Sequence, residues 1–313
     1  MKLTLLSRTI ALLMGCALWA CQPQASLTDE PTPQATDVAS NAVTSPLLSG
    51  KQPLYVHGTM HIESDPRRWP DVDKLLNFFK QATALGVKIE RRDTTYMKWS
   101  VGPDIGWLEG ESRASYFITE AEKLGVEFDI HAHNLLDRPR CYQKIIELGG
   151  HPNHVCNGVL VSDIDKMRKP LTYDTTSWQA EVLLGFNADG SHGASDLRSI
   201  GIWRPKSSAE YKVHDATANM ISVGGGTKQL DYAEGLAASI QSTGGGLGIM
   251  SVAIMVHPDS LTVPNSGGKN LFDIRAWANR MAAYDFVHWA TANQTAEAWR
   301  TKGAGIPTRR DTY

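Results

Sequence analysis

Between residues 51 and 302 the hydrophobic positions take two forms: short, nearly continuous runs, and stripes spaced three or four residues apart. The runs predict strands at Pro53-Leu54-Tyr55-Val56-His57, Val87-Lys88-Ile89, Val126 to His131, Gly158 to Val161, Ile200 to Trp203, Gly248 to Val256 and Phe286 to Thr291. The stripes predict helices between them. Asp71 caps one whose apolar positions are Val72, Leu75, Leu76, Phe79 and Ala82, and Gly86 stops it. Others are expected near 112–124, over Arg140 to Leu148, around Ser177 to Leu184, over Asp273 to Tyr284, and in a last segment reaching about Arg300. Strands apolar on both faces, alternating with helices, imply a mainly parallel sheet. A stretch of about 250 residues with that alternation fits a single α/β domain, a β/α barrel whose sites gather at the C-terminal strand ends.

Several chemically capable side chains fall at those ends: His61 and Glu63, His131 and His133, Arg204, and His257. Strand alternation puts His131 and His133 on one face just where an apolar run stops, a plausible start to a metal site. One of the two could equally be a hydrogen-bonded core histidine. His57 shares a strand face with His61 and reads as core. Trp69, Trp99, Trp107 and Trp203 are expected to pack, with sugar stacking the minority reading. Gly224-Gly225-Gly226 and Gly244-Gly245-Gly246 lack the Gly-Lys-Ser/Thr ending of a phosphate loop and read as turns.

Composition narrows the setting. A formal net charge of −2 and no basic stripe argue against a nucleic-acid partner. Lys2 and Arg8, followed by the apolar Ile10 to Trp19, form a targeting segment too short to span a bilayer. It ends in Leu18-Trp19-Ala20-Cys21, which resembles the lipobox of bacterial lipoproteins. That resemblance implies a signal peptide over 1–21, lipidation of Cys21, and anchoring to the bacterial envelope, with Gln22 favouring the outer membrane. Residues 22–50, rich in Pro, Ser, Thr, Ala and Gln, are expected to be a disordered tether spanning on the order of 30 Å. The barrel domain then covers 51–302, and 303–313 is a C-terminal tail. Cys141 and Cys156 are left in the mature body as either a disulfide or two buried thiols.

Taken in order, these positions resemble the polysaccharide deacetylase family, the NodB-homology fold. Gly-Val-Glu-Phe-Asp-Ile-His131-Ala-His133 is similar to its histidine motif, Ile202-Trp203-Arg204-Pro205 to its arginine-proline element, and Ile254-Met255-Val256-His257-Pro258 to its strand-ending histidine. Val287-His288-Trp289-Ala290-Thr291 and the following Glu297-Ala298-Trp299 resemble its last strand and helix. The resemblance implies a distorted β/α barrel, a divalent metal such as Zn²⁺ on His61, His131 and His133, and hydrolysis of N- or O-acetyl groups on a glycan. In that reading Glu63 is the catalytic base, His257 the acid, and Arg204 the partner that orients the base. Where the family carries two adjacent aspartates, this chain has Thr59-Met60-His61-Ile62-Glu63-Ser64, so the carboxylate ligand has no direct successor and His61, Asp65 or Asp137 could fill its place. Two other functions fit the same residues: a different barrel metallohydrolase of amidohydrolase or phosphoesterase type, or a non-catalytic glycan-binding lipoprotein.

Overall fold

Everything in the sheet is bonded outward from its first strand. The computed structural model describes residues 50–90, 92–187, 199–224, 226–227, 230–258 and 270–311. Residues 1–49, with the expected signal peptide, Cys21 and nearly all of the tether, lie outside the described residues, as does Gly225. Nine strands form the main sheet: β1 (Leu54–Ile62), β2 (Trp99–Pro103), β3 (Glu127–His131), β4 (Pro152–Leu160), β5 (Val182–Asn187), β6 (Ile221–Ser222), β7 (Gly226–Thr227), β8 (Met250–Val256) and β9 (Val287–Trp289). Their order is β6-β5-β4-β3-β2-β1-β8-β7, with β9 also on β1, and every pairing is parallel. The helices are α1 (Val72–Ala82), α2 (Ile105–Gly110), α3 (Ala114–Lys123), α4 (Asp137–Glu147), α5 (Ile164–Met167), α6 (Leu230–Thr243), α7 (Leu271–Ala282) and α8 (Ala292–Thr301). The sheet curls into a partial β/α barrel.

All nine residues of β1 are buried, and the two faces of the strand meet different surroundings. Leu54, Val56, Met60 and Ile62 join the large outer core with Leu75 and Phe79 of α1. Tyr55 joins a second cluster with Val155, Val182, Leu184, Ile221, Val223 and Ala253, into which α8 inserts Ala292, Ala296 and Trp299. This second cluster is the apolar floor of the barrel, and His57, Thr59 and His61 stand above Tyr55 on the same face. Residues 221–227 meet the sheet at both of its ends: Ile221 and Ser222 pair with Val182 and Leu183, and Gly226 and Thr227 with Ala253 and Ile254.

Several elements differ from expectation. Ser177 to Leu184 is not a helix: Thr176–Trp178 pairs with Leu171–Tyr173 in a hairpin, and Val182 starts β5. Val182-Leu183-Leu184 lies between β4 and β6, buried on both faces as an interior parallel strand requires. The expected strand Ile200 to Trp203 shrinks to Ser199–Ile200, paired with Arg310–Asp311. Residues after 302 therefore belong to the domain, and Thr308 Oγ1 both accepts from Ile202 N–H and donates to Ile249 C=O. The helix near 112–124 is α3, whereas α2 before it and α6 were not anticipated, although Ala233, Leu236, Ala237 and Ile240 give α6 a buried stripe. Cys141 and Cys156 are both buried free thiols. Among the described residues no helix is long and apolar enough to cross a membrane.

His57 is fully buried, neither ring nitrogen has a hydrogen-bond partner, and burial lowers its pKa from 6.5 to about 4. It is neutral in the folded protein at pH 7. An unfolded chain protonates it near 6.5, so its contribution is intact above that pH and is lost as pH falls toward 4, by about 3 kcal/mol in all. His57→Gln is expected to flatten the dependence of the urea midpoint on pH between 6.5 and 4. Parallel curves for wild type and variant would contradict a buried neutral imidazole.

Candidate metal centre

The site grows from the C-terminal ends of β1 and β3, which are separated by β2. His61 is in register with Gly102 of β2, and His131 with Asn157 of β4. A Cβ on Gly102 would lie 2.6 Å from the His131 Cβ, so only glycine lets that side chain lean over β2. Across the gap it stacks on His61 with ring centroids 3.9 Å apart and planes at 23°. Gly158, at φ +73°, opens the other side, where a Cβ would sit 2.9 Å from His131 Nδ1. Both imidazoles are buried.

Asn157 decides which nitrogen of each ring carries the proton. Its amide Nδ2 donates to Thr59 Oγ1 (2.6 Å) and to Asp129 Oδ2 (3.3 Å), which orients Oδ1 toward His61 Nε2 at 2.6 Å. An amide oxygen only accepts, so His61 Nε2 carries the hydrogen and Nδ1, which has no hydrogen-bond partner, presents its lone pair. The Asn157 backbone carbonyl likewise accepts from His131 Nδ1 at 3.1 Å, turning the His131 Nε2 lone pair toward Glu63 Oε2, 3.7 Å away. Burial and the neighbouring His131 both hold His61 well below the usual imidazole pKa.

Glu63 supplies the charge. Burial opposes its ionisation, yet the His131 and His133 rings hold its carboxyl well below the usual carboxylate range. A lone pair and a carboxylate oxygen facing each other need a cation between them, a proton or a metal ion. Donor atoms of His61, Glu63 and His131 all lie within 4.8 Å of one another, and this buried cluster could hold a metal ion. Two imidazoles and a carboxylate suit Zn²⁺ or a similar first-row ion. The Glu63 backbone is pinned by Trp69 Nε1–H, which donates to its carbonyl at 3.0 Å.

Other expected residues are placed differently. His133 donates from Nε2 to Glu63 Oε2 at 2.8 Å, which raises its pKa; it supports the carboxylate and lies outside the three-residue cluster. His257 Nδ1 is 4.0 Å from Glu63 Oε1, and its side chain is 24% exposed. Arg204 is not at this site. Its guanidinium lies over the Trp299 ring and donates to the Ala218 carbonyl, among residues at the N-terminal ends of the strands, because the segment after Gly201 is bonded to Ser222 and Ser251 there. Nor do Asp65 and Asp137 replace a carboxylate ligand. Asp65 is paired with Arg67, and Asp137, at the start of α4, faces Arg140. Trp99, Trp107 and Trp203 are core residues, and Trp69 packs against the core.

Sequence reasoning missed the polar layer under the imidazoles. Ser100 Oγ donates to Asp129 Oδ2 at 2.6 Å and Asn153 Nδ2 to Asp129 Oδ1 at 2.9 Å, while burial pushes the Asp129 carboxyl up to about 7. The signal was there: Thr59 precedes His61 by two residues and Asp129 precedes His131 by two, each a polar position on the same face of an apolar strand. Comparison with family models, with curated proteins and with solved structures finds no match to this chain.

Replacing Asn157 with Ala removes the acceptor that sets the His61 tautomer while keeping the backbone carbonyl that sets His131. Zn²⁺ or Co²⁺ affinity, read by competition with a chromophoric chelator, is expected to fall about 10- to 100-fold. An unchanged affinity in a folded variant would show that the tautomer is set elsewhere.

Proposed function

We propose that this chain is a metal-dependent hydrolase that removes N- or O-acetyl groups from a carbohydrate, on a barrel of the polysaccharide-deacetylase (NodB-homology) type. The observation that carries the reading is the convergence of His61 Nδ1, His131 Nε2 and the Glu63 carboxylate at the C-terminal mouth of the barrel. The resemblance of the His131/His133 and His257 segments to that family supplies the substrate class. A divalent ion at such a cluster supplies Lewis acidity to the acyl oxygen and lowers the pKa of its water.

The chain's own residues divide the remaining work. His61, His131 and Glu63 would hold the ion, which would supply an activated water. This moves Glu63 from the base role to a ligand role. His133, donating to Glu63 Oε2, fixes the direction of the carboxylate. His257 is partly exposed beside the cluster, and it takes the proton of the attacking water and returns it to the leaving group. In the proposed setting the barrel is held at the envelope by a lipid on Cys21, within reach of acetylated glycan.

Acetate release from acetylated chito- and xylo-oligosaccharides, with metal content measured in parallel, tests the proposal. Chelation is expected to abolish release, and added Zn²⁺, Co²⁺ or Mn²⁺ to restore it. His61→Ala and His131→Ala should lose both metal and activity. His257→Ala should keep the metal and lose roughly 10²- to 10⁴-fold in rate. Bound metal without acetate release would leave the other metallohydrolase chemistries; absence of both would favour a glycan-binding protein.

A further inference from the structure

Arg204 was expected beside the carboxylate of the metal centre, and its actual surroundings form a second site. It lines a cavity of about 300 Å³ near the N-terminal ends of the strands, together with His214, Trp299 and Arg300. Arg204, Trp299 and His214 are held in place by the fold. The Arg204 guanidinium lies over the Trp299 ring, 5.7 Å from its centroid, and Nη1 donates to the Ala218 carbonyl. Trp299 is itself buried and tied through Nε1–H to the Ile306 carbonyl at 2.6 Å. The Arg204 backbone N–H donates to His214 Nδ1 at 3.1 Å, which leaves the proton of a neutral His214 on Nε2 as a further donor.

Positive groups dominate the lining of this cavity, with Asp215 acting on His214 and Glu297 on Arg300 from beside it. Burial and the Arg300 charge both disfavour the protonated form of Arg204. The nearest acid on α8, Glu297, meets Arg300 at 3.5 Å from outside the cavity lining, and among the described residues no carboxylate lines the cavity. Two guanidiniums and a ring N–H around one concavity, with an aromatic wall, form a receptor for a compact multivalent anion. We infer that the Arg204–Arg300–His214 pocket binds phosphate, either the free ion or the phosphoryl group of a small phosphomonoester.

The test uses the full chain stripped of metal by chelation, so that phosphate bound to an ion at the His61 cluster is not measured. Titration calorimetry with inorganic phosphate in 50 mM and 150 mM NaCl should show saturable binding at both salt concentrations. Arg300→Gln, on an exposed side chain, should weaken it at least tenfold; Arg67→Gln, on the exposed 3₁₀ turn after β1, should leave it unchanged. Glycerol 1-phosphate binding more tightly than phosphate would identify the monoester as the ligand, and the reverse order the free ion. Absence of saturation, equal affinity in Arg300→Gln, complete loss at 150 mM NaCl, or tighter binding of acetate than of phosphate would each overturn the inference.

Discussion

The metal cluster depends on two buried imidazoles being held in one tautomer each, and Asn157 does this with two oxygens. Its side-chain oxygen accepts from His61 and its backbone oxygen from His131. The amide cannot turn over, because Thr59 and Asp129 both accept from its nitrogen. One residue thereby aims two lone pairs at the same volume, and Glu63 completes that volume with a negative charge. Gly102 and Gly158 follow from the same demand: both stand where a side chain would push the His131 ring away from His61. The Asp129 carboxyl, buried deeply enough to titrate near 7, is the cost of holding the amide in place.

How far this was legible depended on whether the information was local. Strand β8, an unbroken apolar run, and α1, with its Asp71 cap and helical stripe, are both written in adjacent residues and were found at nearly their observed bounds. Val182-Leu183-Leu184 was misread because a short apolar run has no period that separates a buried strand from a helix; its neighbours β4 and β6 decide the matter. The site shows the same division. His61 and His131 stood out as ligands and Glu63 as a base at strand ends, whereas Asn157 is one asparagine within an apolar strand, and its role exists only through the pairing of β3 with β4.

Arg204 shows the limit of reasoning from order along the chain. Its place in the sequence suggested a partner for an acid at the barrel mouth, but the backbone hydrogen bonds of Gly201 and Trp203 hold that segment to Ser251 and Ser222 instead. The barrel consequently has two chemically opposite regions. A carboxylate and imidazoles gather at the C-terminal strand ends, and guanidiniums gather around Trp299 near the N-terminal ends. Between them lies the apolar floor of Tyr55, Val155, Val182 and Leu184.

The way β1 is bonded also governs when the molecule can form. Leu54, near the start of the domain, takes Met250 on one edge and Val287 on the other, and Thr308 ties Ile202 to Ile249. The central strand therefore waits for partners far along the chain, and contacts this distant in sequence make folding slow. Strand β1 stays without these edge partners until residues 250–256 and 287–289 are in place. Loss of the segment carrying Thr308 would consequently affect assembly of the whole barrel, far from any group that takes part in its chemistry.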